Sequence, residues 1–132
     1  MNAARLRQLR VAGIDIGSHS VSHVRLTEHS VERIREEVTR SKAELEDALG
    51  ERIDHFCYPY GSHDMRVVEA VAAAGYRSAT TCERAPATRA DDPLTLPRKA
   101  IAWGDSLIGV WWKMHMKNTP KRPPIRRGGP GI

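Results

Sequence analysis

Residues 55–82 read HFCYPYGSHDMRVVEAVAAAGYRSATTC, and the fold turns on how this stretch is divided. Phe56-Cys57-Tyr58 reads as a short strand that stops at Pro59, which has no N–H to give to a ladder. The loop Tyr60-Gly61-Ser62-His63 follows. Asp64 to Ala74 then sets Val67, Val68 and Val71 inward at helical spacing, Gly75 closes the helix, and Tyr76 to Cys82 reads as the next strand. Strand, helix and strand in this order form the unit that joins two parallel strands by a helical crossover.

The same rhythm extends upstream. Ser30 to Leu49 predicts a long amphipathic helix, with Val31, Ile34, Val38, Leu45 and Leu49 along one face and Glu and Arg alternating on the other. Ser30 can cap its start, Glu32 suits the positive end of its dipole, and Gly50 permits a left-handed exit. Before it lie a short helix from Ala3 to Val11 with Leu6 and Leu9 on one side, a stop at Gly13, and a strand Ile14-Asp15-Ile16. Alternation of this kind predicts an α/β fold of parallel strands with its site at their C-terminal ends, and three strands supply only part of a barrel or sheet. Downstream, a helix from about Asp105 to Met114 is expected to cover the sheet with Leu107, Ile108, Trp111 and Trp112. Residues 1–116 are thus expected to form one domain, and residues 117–132, rich in Pro, Gly and Arg, a disordered basic tail.

With 132 residues the chain has room for one core. The net charge of +5 is concentrated at the end: from Lys113 onward there are six Lys or Arg and no acid, and the rest is nearly neutral. No nucleic-acid partner is therefore expected, the alternative being a tail that grips an anionic surface by charge alone. Cys57 and Cys82 fit neither a disulfide scaffold nor a paired metal clip, and both fall in stretches read as buried strands. No apolar run reaches the roughly 18 residues of a membrane span, and Met1 to Arg10 lacks the apolar centre of a secretory signal, so the chain as it stands reads as soluble.

Two places carry the residue types of a site. His19 and His23 are four apart, a spacing that sets two imidazoles on one side of a helical turn where they can share a divalent cation. Ser20 follows the first His where a zinc protease would carry Glu, which disfavours that class. The plain alternative is two loop histidines, and what favours ligation is the Gly17-Ser18 step after a strand, where side chains face a pocket. At the other strand end, Tyr58-Pro59-Tyr60-Gly61 presents a backbone N–H able to stabilise an oxyanion, or else an ordinary Pro-Gly turn. His29, His55, His63 and His115 have no partner at ligand spacing.

Taken in order, Gly17-Ser18-His19-Ser20-Val21-Ser22-His23, Leu26-Thr27, the amphipathic helix, Phe56-Cys57-Tyr58-Pro59-Tyr60-Gly61 and Ala74-Gly75-Tyr76 closely resemble the polysaccharide deacetylases of carbohydrate esterase family four. The resemblance covers roughly Leu9 to Ala102, the C-terminal part of that domain. It implies a partial, distorted (β/α) barrel, and hydrolysis of the carbon–nitrogen bond of N-acetyl groups on a polysaccharide or oligosaccharide. It implies a divalent metal, commonly zinc, held by His19 and His23, with Tyr60 as the catalytic residue whose N–H helps hold the tetrahedral oxyanion. Pro59 and Tyr58 would line the substrate. Family members often work outside the cytoplasm.

The sequence also departs from that pattern. The family's earlier paired aspartates, a general base and the third ligand, have no counterpart before His19; Asp15 matches the acid common just before the His motif. Cys57 stands where many members carry an Arg that orients the catalytic aspartate. No strand-borne Leu-x-His follows Tyr76, and His115 lies in a helical pattern. The expectation is a truncated chain with a weakened metal site and little activity of its own. The rival reading is a non-catalytic remnant that binds glycan through Tyr58, Tyr60 and Trp103.

Overall fold

The structure, a computed structural model, describes residues 2–116; the basic tail expected at 117–132 lies outside the described residues. The elements are α1 (Ala3–Val11), α2 (Val31–Leu49), β1 (His55–Cys57), α3 (Met65–Ala73), β2 (Ser78–Thr80) and α4 (Leu107–His115), with single 3-10 turns at Leu26–Glu28, Pro59–Gly61 and Pro93–Thr95. β1 and β2 run parallel, with His55 opposite Ser78, Phe56 opposite Ala79 and Cys57 opposite Thr80. Ser18 adds a parallel bridge on the outer side of β1, and Leu96 one on the outer side of β2. Four chain segments therefore lie side by side in the order Ser18, β1, β2, Leu96, with α2 and α3 as crossovers. This is the architecture of a partial (β/α) barrel.

The helix boundaries follow from side-chain chemistry. Ser30 Oγ accepts from the Arg33 N–H and Asp64 Oδ1 from the Val67 N–H, each satisfying a donor that the first turn leaves open. Gly50, at φ 72°, closes α2 in the left-handed region. Ile34 and Val38 of α2, Val67, Val68 and Val71 of α3, and Leu26, Tyr58 and Ala79 are fully buried together, with Phe56, Ile53 and Leu94 nearly so. Val31, Leu45 and Leu49 lie at the edge of this core, half-buried. The turn from α2 into β1 is held by Glu46, which accepts from the Ile53 N–H at 2.9 Å and pairs with Lys42 at 3.0 Å, while Lys42 also donates to the Ile53 carbonyl.

Several expectations change. Ile14-Asp15-Ile16 forms no strand; Ile14 is half exposed and only Ser18 joins the ladder. The strand expected from Tyr76 to Cys82 is confined to Ser78–Thr80, since the Tyr76 N–H still bonds to Val71 of the preceding helix. Cys82, past the ladder's end, is exposed and Cys57 half-buried, both as free thiols. The largest correction is α4: none of its residues is buried, and Leu107 (89%) and Ile108 (80%) face outward. Periodicity reveals that a helix has an apolar face but not what stands opposite it, and the buried core draws on α2, α3, β1, β2 and the adjoining turns with no residue of α4. No helix among the described residues is long and apolar enough to cross a membrane.

Ile34→Ala should lower the free energy of unfolding by about 2–5 kcal/mol, read from the urea midpoint, because it empties a fully buried position. The Glu46 carboxyl is held below its usual range, first by the Ile53 N–H and then by Lys42. A depressed folded-state value contributes stability that is present above the unfolded value and lost as pH falls through the folded one. The melting temperature should therefore drop between about pH 5 and pH 3, and Glu46→Gln should flatten part of that drop.

Candidate functional site

The site is built where chain segments leave the parallel ladder at the same edge. Ser18 donates its N–H to the His55 carbonyl (2.8 Å) and accepts from the Cys57 N–H (2.9 Å), which fixes the direction in which His19 emerges. Gly17 makes this approach possible: a Cβ there would stand 3.2 Å from the His55 oxygen. The buried Ser18 hydroxyl meets Ser41 of α2 at 2.7 Å, and Ser41 donates onward to the Val38 carbonyl.

His19 to His23 is a loop and not a helical turn, and Ser20 (φ 63°) and His23 (φ 54°) are both left-handed. The Ser20 hydroxyl accepts from the His23 N–H at 3.0 Å. The rings nevertheless meet, with centroids 4.8 Å apart in an edge-to-face arrangement. His19 Nδ1 lies 2.6 Å from the Cys57 carbonyl, which can only accept, so Nδ1 carries the proton and Nε2 is the free lone pair. This is the arrangement by which an outer partner orients a metal-binding imidazole.

Tyr60 completes the cluster. Its ring packs edge-on against His23 at 4.7 Å, Arg25 lies over its face at 4.6 Å, and its backbone is left-handed at φ 57°. Among the described residues none accepts from the Tyr60 N–H. The loop is tied to its neighbour through Ser62, whose hydroxyl meets the Thr27 hydroxyl at 2.8 Å, and through Arg66, which donates to the Thr27 carbonyl at 3.0 Å. Gly61 must be glycine twice over: φ is 66°, and a Cβ would fall 2.6 Å from the Cys82 Cβ.

Of the residues singled out in the sequence, His19, His23 and Tyr60 come together. Tyr58 and Pro59 do not offer their side chains to a substrate: both are fully buried, and the Tyr58 hydroxyl donates to the Leu94 carbonyl at 2.7 Å. The Tyr58 ring fills core volume between β1 and the Pro93–Thr95 turn, behind the wall that carries Tyr60. Trp103 is fully exposed in the turn before α4. His63 stacks on Tyr58 and bonds the Gly61 carbonyl, and His115 stacks on Trp111, so neither is drawn toward the cluster.

Sequence reasoning missed three groups. Glu37, 1% exposed, accepts from the Val21 and Ser22 N–H groups and from the Ser22 hydroxyl, and pairs with Arg33. Burial alone would raise its carboxyl, but the Ser22 hydroxyl, these amides and Arg33 together hold it below the usual range. Ser41 is the second. Both sit in register with Ile34 and Val38 on the inward face of α2, and a polar residue inside an apolar stripe was the available signal. The third is Arg98, which brings a guanidinium to within 3.5 Å of Cys82 Sγ and lines a cleft of about 400 Å³ with Arg84 and Lys99.

Two imidazoles suit a divalent cation such as zinc, and the fixed tautomer of His19 suits ligation, but a catalytic site of that kind has three protein ligands. No group of three or more His, Cys, Asp or Glu placed to hold a metal occurs among the described residues. Asp15 is exposed and paired with Arg10.

A parallel α/β arrangement with crossover helices, and with paired imidazoles and an open backbone N–H at one rim, places the chain in the class of partial (β/α) barrels. The comparisons narrow it. The family model described as polysaccharide deacetylase matches residues 1–79, and the chain belongs to that family, which is carbohydrate esterase family four. No curated protein matches the chain. Among solved structures, the Streptococcus pyogenes deacetylase PplD in complex with acetate is similar at 22% identity and a TM-score of 0.82, over 86% of this chain and 50% of that one. BC0361, a polysaccharide deacetylase from Bacillus cereus, is similar at 23% identity and a TM-score of 0.73, over 85% and 36%. BA3943, a pseudoenzyme of the same family from Bacillus anthracis, is similar at 22% and 0.56, over 59% and 28%. The chain thus spans half or less of the length of these structures, and at such identities the likeness is one of fold.

Gly61→Ala should destabilise the protein by at least about 1–3 kcal/mol, since the left-handed backbone and the Cys82 clash both oppose it. Thermal unfolding checks this, and tyrosine fluorescence should report the displaced Tyr60 ring.

Proposed function

We propose that this chain carries the metal-binding and oxyanion-stabilising part of a zinc-dependent polysaccharide de-N-acetylase, in which His19 and His23 hold the metal and Tyr60 is the catalytic residue. The single observation that carries the reading is the convergence of His19, His23 and Tyr60 at one rim, with His19 held in the tautomer that frees Nε2. A divalent metal bound there would polarise the acetyl carbonyl and lower the pKa of a water molecule. The Cys57 carbonyl keeps the His19 ring in place. The Tyr60 N–H, which no described residue engages, donates to the acetyl oxygen as negative charge develops on it. Buried Tyr58 and Pro59 hold that N–H in position, and the exposed Tyr60 ring offers a face for a sugar. The substrate would be an N-acetylated polysaccharide or oligosaccharide, and the bond cleaved the amide carbon–nitrogen bond.

Among the described residues no carboxylate joins the two imidazoles in a group that could hold a metal, and none is assigned as the base that takes a proton from water. Loss of such a base costs on the order of 100- to 10,000-fold in rate, so these 132 residues alone are expected to release acetate slowly or not at all. The second reading, a non-catalytic glycan binder, is favoured by that incomplete donor set and by the exposed Tyr60 and Trp103.

Zinc titration of the purified chain should give one site per chain, and His19→Ala should weaken it at least about tenfold. Zinc uptake unaffected by His19→Ala would refute the metal reading. Acetate release from chitooligosaccharides separates the two functions: binding of the oligosaccharide with no acetate formed, even when zinc is present, supports the glycan binder.

A further inference from the structure

The Glu37 carboxylate takes no part in the cluster of His19, His23 and Tyr60, yet most of its bonds run into the loop between the two histidines. Oε2 accepts from the Val21 N–H at 2.9 Å and the Ser22 N–H at 2.8 Å, and Oε1 accepts from the Ser22 hydroxyl at 2.6 Å. Arg33, one helical turn earlier on α2, donates to Oε1 at 2.7 Å and reaches the Ser22 hydroxyl at 3.3 Å. A carboxylate 1% exposed is costly to bury unless its lone pairs are filled, and here the loop fills them.

Two features make this more than packing. The anchored residues, Val21 and Ser22, are flanked by Ser20 and His23, both in the left-handed region that side chains disfavour. Two such residues in one loop persist only where the surroundings impose them. Ser20 caps the His23 N–H from inside the loop, but that bond ties the loop only to itself; among the described residues the backbone between the histidines is attached to the rest of the fold by Glu37, with Arg33 adding a longer contact to the Ser22 hydroxyl. At the other end His19 is fixed independently, by the Ser18 bridge and the Cys57 carbonyl. The separation of the rings therefore depends on where Glu37 sets the chain between them.

We propose that Glu37 is a positioning residue of the metal site: from the buried face of α2 it grips the two backbone amides between His19 and His23 and so sets the second imidazole against the first. The proposal rests on the reading of His19 and His23 as ligands. Glu37 does not touch the metal; it acts through the loop. Outer groups that orient ligands are commonly worth 10- to 100-fold in metal affinity.

The test compares the 132-residue chain with Glu37→Ala and Glu37→Gln, using zinc alone as the probe and amide hydrogen exchange as a second readout. Glutamine can present one oxygen to both amides while its NH2 donates to the Ser22 hydroxyl, but it cannot accept from Arg33, which keeps its pair with Glu36, so the variant should lose clearly less zinc affinity than Glu37→Ala. Glu37→Ala should lose about tenfold or more in zinc affinity with its helical circular dichroism retained, and its Val21 and Ser22 amides should exchange at least about tenfold faster. Unchanged zinc affinity in folded Glu37→Ala overturns the proposal, as does a Glu37→Gln variant as weak as Glu37→Ala. Should Glu37→Ala fail to fold, Glu37→Gln and the exchange of the unaltered chain decide: fast exchange at Val21 and Ser22 there shows that no anchor exists and overturns it. If the unaltered chain takes up no zinc, the reading of the histidines falls and the role of Glu37 falls with it, even where slow exchange shows the anchor intact.

Discussion

The bridge between Ser18 and β1 is the constraint on which the site depends. Two backbone hydrogen bonds, from Ser18 to His55 and from Cys57 to Ser18, bring the segment carrying His19 alongside the strand that ends in Tyr58. Because the pairing is parallel, both segments exit at the same end, and the residues that follow them face one rim. Gly17 permits the approach by lacking a Cβ against the His55 oxygen. The Cys57 carbonyl, freed at the end of the ladder, then takes the Nδ1 proton of His19, so one strand end fixes both the place and the tautomer of the imidazole.

The two crossover helices do different work. α3 packs through Val67, Val68 and Val71, all fully buried, and its Arg66 donates to the Thr27 carbonyl at its exposed start. α2 packs through Ile34 and Val38 but sets Glu37 and Ser41 in the same stripe, and these buried polar groups reach Ser18, Val21 and Ser22. Hydrophobic burial places α2 against the sheet; directional bonds then hold the loop, whose two left-handed residues packing alone would not specify.

The structure is also visibly one portion of an architecture. Among the described residues the two β-strands with a bridge on each side pair four segments, fewer than a closed barrel needs, and Trp103 and the outward face of α4 expose large apolar side chains. The two imidazoles lack a third donor among the described residues. These features agree with a chain that spans half or less of the solved structures it resembles.

By itself the sequence determined the crossover rhythm, since valines at helical spacing, the caps Ser30 and Asp64, and the stops Gly50 and Pro59 are local signals whose physics needs no distant partner. The family motifs were equally legible, because His19, His23 and Tyr60 stand in short runs of fixed order. Tertiary structure decided the rest. Whether Tyr58 meets sugar or core depended on Leu94, far along the chain; whether α4 joins the core depended on what stands opposite its apolar face; and the histidines meet through a strained loop held by Glu37. Such outcomes turn on which groups lie opposite one another across the fold, and no periodicity along the chain encodes that.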